Sequence, residues 1–108
     1  MTARALQSTL IGTEYVRSES VPPSSDVVSD DHYENADTLM QRKDVRGAIA
    51  ELKKAVKHSP RHAMAWRLMG MAYWSIDERE KAKRAFKRFI ELRPDHADAP
   101  KLRKLIAD

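Results

Sequence analysis

The sequence predicts an all-α fold built from two helix-turn-helix units of 34 residues and a closing C-terminal helix. Two observations carry that expectation. First, apolar and small residues recur at helical spacing. Trp66, Met69, Gly70 and Tyr73 stand at i, i+3, i+4 and i+7, and Ala82, Phe86 and Phe89 do the same on the segment that follows. Second, the chain repeats itself. Moving back 34 positions takes Gly70 to Ala36, Tyr73 to Leu39, Ala82 to Ala48, Phe86 to Leu52, Pro94 to Pro60 and His96 to His62. A period in that range is the mark of a repeat array, in which each unit buries its apolar face against a neighbour.

Composition narrows the chemistry. With 108 residues the chain can build one small domain and one modest core. Only three glycines occur, Gly12, Gly47 and Gly70, so there is no glycine-rich loop to cradle a phosphate. Cysteine is absent, which excludes a disulfide framework and thiolate metal sites and fits a reducing compartment. The apolar runs fall far short of the roughly 18 residues that span a bilayer. No apolar stretch follows Arg4 in the manner of a secretory signal. A cytoplasmic protein without membrane contact is the expectation. The formal net charge of +4 is uneven. Arg4 and Arg17 are outweighed by Glu14, Glu19 and Asp26 in residues 1–28, and the basic excess lies in the remainder.

Residues 1–28 read as a flexible leader. The Ser-Val-Pro-Pro-Ser-Ser-Asp stretch that begins at Ser20 cannot bury much surface. Ahead of it, Leu6, Leu10, Ile11 and Tyr15 form a short apolar segment able to dock on the repeats, in cis or on a neighbour. Helices are expected near residues 31–42, 45–58, 63–75, 78–92 and 97–106. Asp31 with Glu34, and Asp77 with Glu80, have the spacing of a capping box, and Asp44 can cap the second helix. Pro60 and Pro94 end the second and fourth helices, while Pro100 is tolerable only in the first turn of the fifth. The chain should reverse at Lys43 and Asp77. Gly70 in mid-helix costs about 1 kcal/mol against alanine, so close packing is its expected reason, with Ala82 as the second small partner.

The anchors Trp66-x-x-Met69-Gly70-x-x-Tyr73, Ala82-x-x-x-Phe86 and Pro94 also resemble the tetratricopeptide repeat, with Met69 where leucine is usual. The resemblance covers a full repeat at residues 63–96 and a divergent one at residues 29–62, where His32 replaces Trp66 and Asn35 replaces Met69. Residues 97–108 resemble the amphipathic helix that closes such stacks, with Leu102, Leu105 and Ile106 on one side. It implies a right-handed α-solenoid fragment that binds proteins without catalysis, as an adaptor or scaffold. The first helix of each pair would line a concave groove.

The positions that would face that groove are Met64, Arg67, Met71 and Trp74, with Tyr33, Asp37 and Met40 one period earlier. Methionine adapts to irregular partners and aromatic rings supply contact area at small entropy cost, so a peptide or amphipathic helix with apolar anchors suits the site. The family's lysine and asparagine for a terminal carboxylate would fall at Tyr33 and Asp37, which argues for an internal segment. A second surface is basic: Lys83, Arg84, Lys87, Arg88 and Lys101, with Lys81, Arg93, Arg103 and Lys104 near them. Its ordinary reading is a solvated face. The alternative is binding of nucleic acid or another polyanion through helices 78–92 and 97–106, although no aromatic is interleaved for base stacking. A third reading is self-association as a homodimer, since two repeats are few for a continuous core.

Nothing in the sequence assembles a catalytic group, and no cofactor is implied. His58 and His62 have a metal-ligand spacing, but Pro60 between them breaks the helix that spacing needs, so no metal is expected. His62 and His96 read as equivalent turn residues, and His32 as a half-buried stand-in for an aromatic.

Overall fold

The computed structural model describes residues 25–108. These form five helices, α1 (Ser25–Gln41), α2 (Val45–His58), α3 (Ala63–Ser75), α4 (Arg79–Leu92) and α5 (Ala99–Ala107), and no strand occurs among the described residues. Each helix packs on the next, and α1 also touches α3, so two helical hairpins lie side by side with α5 against the second. Short links between neighbours make both hairpins antiparallel.

Both hairpins turn in the same way, one period apart. Lys43 (φ 68°) and Asp77 (φ 64°) are the positive-φ residues outside glycine among the described residues. In the first hairpin the Asp44 N–H donates to the Leu39 carbonyl (2.8 Å) and the Lys43 N–H to Met40 (3.0 Å). In the second, Glu78 donates to Tyr73 (2.9 Å) and Asp77 to Trp74 (3.1 Å). This is the pattern that closes a helix with one left-handed residue and satisfies its last carbonyls.

Three expectations about helix ends are corrected. The helix expected at residue 31 begins at Ser25, so residues 25–28 belong to α1 and not to a leader. Asp31 and Glu34 therefore sit in the helix interior and do not cap it. The extra turn is held from outside. The Ser29 hydroxyl, wholly buried, donates to the Ala55 carbonyl (2.9 Å), and Asp26 accepts from the Ser59 hydroxyl (2.7 Å). Asp77 does not cap α4 either, because its backbone is committed to the left-handed turn and its carboxylate accepts from Arg79 Nε (2.9 Å). Glu78 takes the cap position without a side-chain bond. The fifth helix starts at Ala99 and not at 97, after a turn in which His96 Nδ1 accepts from the Asp98 N–H (3.0 Å). The Asp44 cap forms as expected, its carboxylate accepting from the Gly47 N–H (3.0 Å). The segment containing Leu6, Leu10, Ile11 and Tyr15 lies outside the described residues.

The core follows the two stripes. Ala36, Ala48, Leu52 and Ala55 are buried in the first hairpin, and Met69, Tyr73, Ala82, Phe86 and Phe89 in the second. Gly70 lies directly on the Phe86 ring: a Cβ there would stand 2.5 Å from ring carbons. Close helix approach, not flexibility, is what this glycine provides.

Candidate binding surface

His62, in the link between hairpins, organises the junction of α1 and α3. Its Nδ1 accepts from the Ala65 N–H (3.2 Å) and so caps α3. That leaves the proton on Nε2, which donates to Asp30 of α1 (2.8 Å). The Tyr33 ring rests on the same imidazole, with centroids 5.1 Å apart. His96 repeats the theme one period later, its ring edge-on to Phe89 at 5.0 Å. His32, in the place of Trp66, is half-buried and meets Glu51 of α2 (2.7 Å), while its ring stacks on His58. Each of these histidines is thus engaged in structure. Among the described residues no group of three or more metal-ligating side chains converges.

From this junction a polar line runs from α1 through α3 to the turn ahead of α5. The Arg67 guanidinium donates to Asp98, just ahead of α5, through both Nε (2.9 Å) and NH2 (2.7 Å). Tyr33 lies close enough to Asp37 and Arg67 to feel both charges. Burial first, then the Asp37 charge, raise its phenol above the usual range, and Arg67 pulls it partway back. The hydrogen bond from Arg67 holds the Asp98 carboxyl below the usual carboxylate range, with burial opposing. The bond with His32 does the same for Glu51, again against burial.

The sign of the pH effect follows. A carboxyl with a lowered folded pKa contributes stability that is complete above its unfolded value, about 3.9 for aspartate. That contribution is lost as pH falls through the folded value. Acidification below about pH 4 is expected to loosen α5, read as a falling protection factor for the Leu102 amide, which donates to the Asp98 carbonyl. Asp98→Asn should show the same loosening at neutral pH. Unchanged protection in that variant would show that the Arg67 fork does not hold α5.

The expected groove residues divide into two sets. Tyr33, Asp37 and Arg67 meet in the polar line, so Arg67 is occupied by Asp98 and Asp37 accepts from Gln41 (3.3 Å). Met40 and Met64 are half-buried against the core. Met71 is the exception, 41% exposed and one of two large apolar side chains left open among the described residues. Trp74 is half-buried at the far end of α3, with the Arg79 guanidinium over its ring at 4.4 Å. It opens on a cleft of about 520 Å³ shared with α4 and α5.

The basic line divides as well. Arg84 and Lys87 are exposed, Arg88 bonds Glu91 (3.3 Å) and Lys81 bonds Glu78 (3.1 Å). Lys83 and Lys101 instead join Trp74 around its cleft. Sequence periodicity missed Asp98 and Arg79 because both contacts cross a turn, and a helical period identifies a face without identifying what lies opposite it.

Paired antiparallel helices at a 34-residue period, reversed by matching turns, define a helical-hairpin repeat protein. The family model for the tetratricopeptide repeat matches residues 39–108, and the chain belongs to that family. Among solved structures, the crystal structure of MamA matches with a TM-score of 0.67 at 20% identity. That alignment covers 78% of this chain and 54% of the MamA chain, so the chain spans about half the length of that protein, and the likeness speaks for the fold alone. No curated protein matches. At the level the family supports, this is a protein–protein interaction module. No described helix is long and apolar enough to cross a membrane.

Proposed function

We infer that the chain is a non-catalytic adaptor that seats a peptide or amphipathic helix of a protein partner along the inner face of α3. The observation that carries this is the pair Met71 and Trp74, three residues apart on one side of the helix. One is open to solvent and the other is half-buried at the mouth of a cleft. An exposed methionine beside an aromatic that lines a cleft is an adaptable apolar anchor point. Absence of cysteine fits a cytoplasmic setting.

Trp74→Ala is expected to weaken partner capture by about 2 kcal/mol, the scale of an aromatic hot spot, while the helical fold is kept. The check is affinity capture from source lysate, quantified beside a Met71/Trp74 double variant, with circular dichroism of each protein. Retained capture by a folded double variant would remove the site. The basic line offers less, since intrahelical carboxylates neutralise part of it. A homo-oligomer in which the apolar leader occupies the groove would show as a mass change on deleting residues 1–24, which spares α1, by light scattering.

A further inference from the structure

The Trp74 cleft joins two surfaces that the sequence presents separately. Its apolar floor is Trp74 from α3 and Leu105 from α5. Four cations stand around that floor: Arg79 and Lys83 from α4, Lys101 and Lys104 from α5. Part of their charge is unspent. Arg79 is engaged by Asp77 (2.9 Å) and by the Trp74 ring, but Lys83 reaches Glu80 only at 4.0 Å. No ion pair within 4.0 Å engages Lys101 or Lys104 among the described residues.

The other clefts differ. The one beside the link from α2 to α3, of about 710 Å³, is lined by polar groups that already bond one another, Asp26 with Ser59 and Asp30 with His62. The one between α2 and α4 measures only about 240 Å³. Of these three clefts, the one at Trp74 sets two large apolar side chains among four cations and is more than twice the size of the one between α2 and α4.

We propose that this cleft binds an acidic protein segment carrying one bulky apolar side chain. The apolar side chain lies on Trp74 and Leu105, and flanking Asp or Glu carboxylates pair with Lys101, Lys104 and Lys83. The proposal rests on the inner-face reading above and adds the chemistry of the partner at its Trp74 end. Charge complementarity selects the acid, and the apolar floor selects the anchor. Glu80 and Asp108 also stand in the cleft, and they disfavour an evenly charged polyanion more than a peptide whose carboxylates are spaced by other residues.

The test uses the full chain and fluorescently labelled synthetic peptides, read by anisotropy. The first probe is a ten-residue Asp/Glu peptide with a central leucine. The second has that leucine replaced by glycine, the third has the acids replaced by Asn and Gln, and a single-stranded oligonucleotide is the fourth. Each exposed ion pair contributes at most about 1 kcal/mol, so losing two or three should change affinity about tenfold. The first probe should therefore bind about tenfold tighter than the third, and tighter than the second, which lacks the apolar anchor, with affinity falling as salt is raised.

Lys101→Glu with Lys104→Glu should remove that advantage, and the milder Lys101→Gln with Lys104→Gln serves if the charge reversal lowers the melting temperature. Lys57→Gln, at an exposed position of α2 away from the cleft, should leave the first probe within about twofold. Equal binding of the acidic and neutral peptides would overturn the proposal. So would unchanged binding by the lysine variants, or an oligonucleotide that binds tightest and is lost with the same lysines. If the acidic probe fails while the Met71/Trp74 double variant still loses its partner, the cleft falls and the inner-face reading stands. If Met71→Ser and the double variant keep the partner while the lysine variants lose the first probe, the reverse holds.

Discussion

Replacing Phe89 by alanine is expected to destabilise the array by about 3–5 kcal/mol, the range for deleting a fully buried aromatic. Phe89 has no exposed surface and is the largest side chain of which that is true among the described residues. It lies on the inner side of α4, and the His96 ring meets it edge-on at 5.0 Å. Its removal would therefore empty the core of the second hairpin and undercut the turn that leads to α5. Collapse into the space is restricted, because α3 is already held at close range by Gly70 against Phe86. Domains are stable by roughly 0.05–0.15 kcal/mol per residue, so this one loss takes a large part of the total.

In a repeat array each unit is supported by its neighbours alone, so the effect should spread. Chemical denaturation followed by circular dichroism is the measurement, with the midpoint compared between wild type and variant. The slope with denaturant should fall too if α5 detaches before the rest. A loss below about 1 kcal/mol would mean that Phe89 is not the keystone its burial indicates.

Much of this architecture was legible in the sequence, and the reason is physical. The spacing of Trp66, Met69, Gly70 and Tyr73 fixes a helical face whatever lies opposite, and the shift of 34 residues fixes where that face recurs. Lys43 and Asp77 were identifiable as reversal points because each falls between two periodic segments and ahead of a new one. Local rules failed where a distant residue does the holding. Asp31 with Glu34 has capping spacing, yet α1 runs past it because Ala55, Ser59 and His62 secure an earlier turn. Asp77 with Glu80 has the same spacing, yet the left-handed turn places Asp77 beyond the reach of the α4 amides it would need.

The site shows the same division. The Met71 and Trp74 line was readable from helical period alone. That Arg67 is tied to Asp98, and that Trp74 shares a cleft with Lys101 and Lys104, depends on how α5 and the turn ahead of it pack on α4. No spacing within one helix encodes that. The residues expected in a groove and those expected on a basic face were separable in sequence because they sit on different helices, and Trp74 meets Lys83 and Lys101 because those helices pack.

Gly70→Ala tests the packing of α3 on α4 most directly. In an isolated helix this change would stabilise by about 1 kcal/mol. Here it should destabilise by about 2 kcal/mol net, because the new methyl would meet two carbons of the Phe86 ring at 2.5 Å. That ring is 3% exposed and cannot swing away as the end of a flexible chain could. Relief requires either that α4 move outward or that the ring be removed. Phe86→Leu supplies the second route, so the two substitutions should be non-additive. The double variant should be more stable than the summed single losses imply, by about 1–2 kcal/mol, within the range for residues in contact. Urea denaturation of the four proteins measures that coupling. Additivity within about 0.3 kcal/mol would mean that Gly70 is not placed there for Phe86. Since Trp74 follows Gly70 by one helical turn, an outward shift of α4 should also widen the cleft and lift Arg79 from the indole. The tryptophan emission of Gly70→Ala should then change, and addition of Phe86→Leu should restore it.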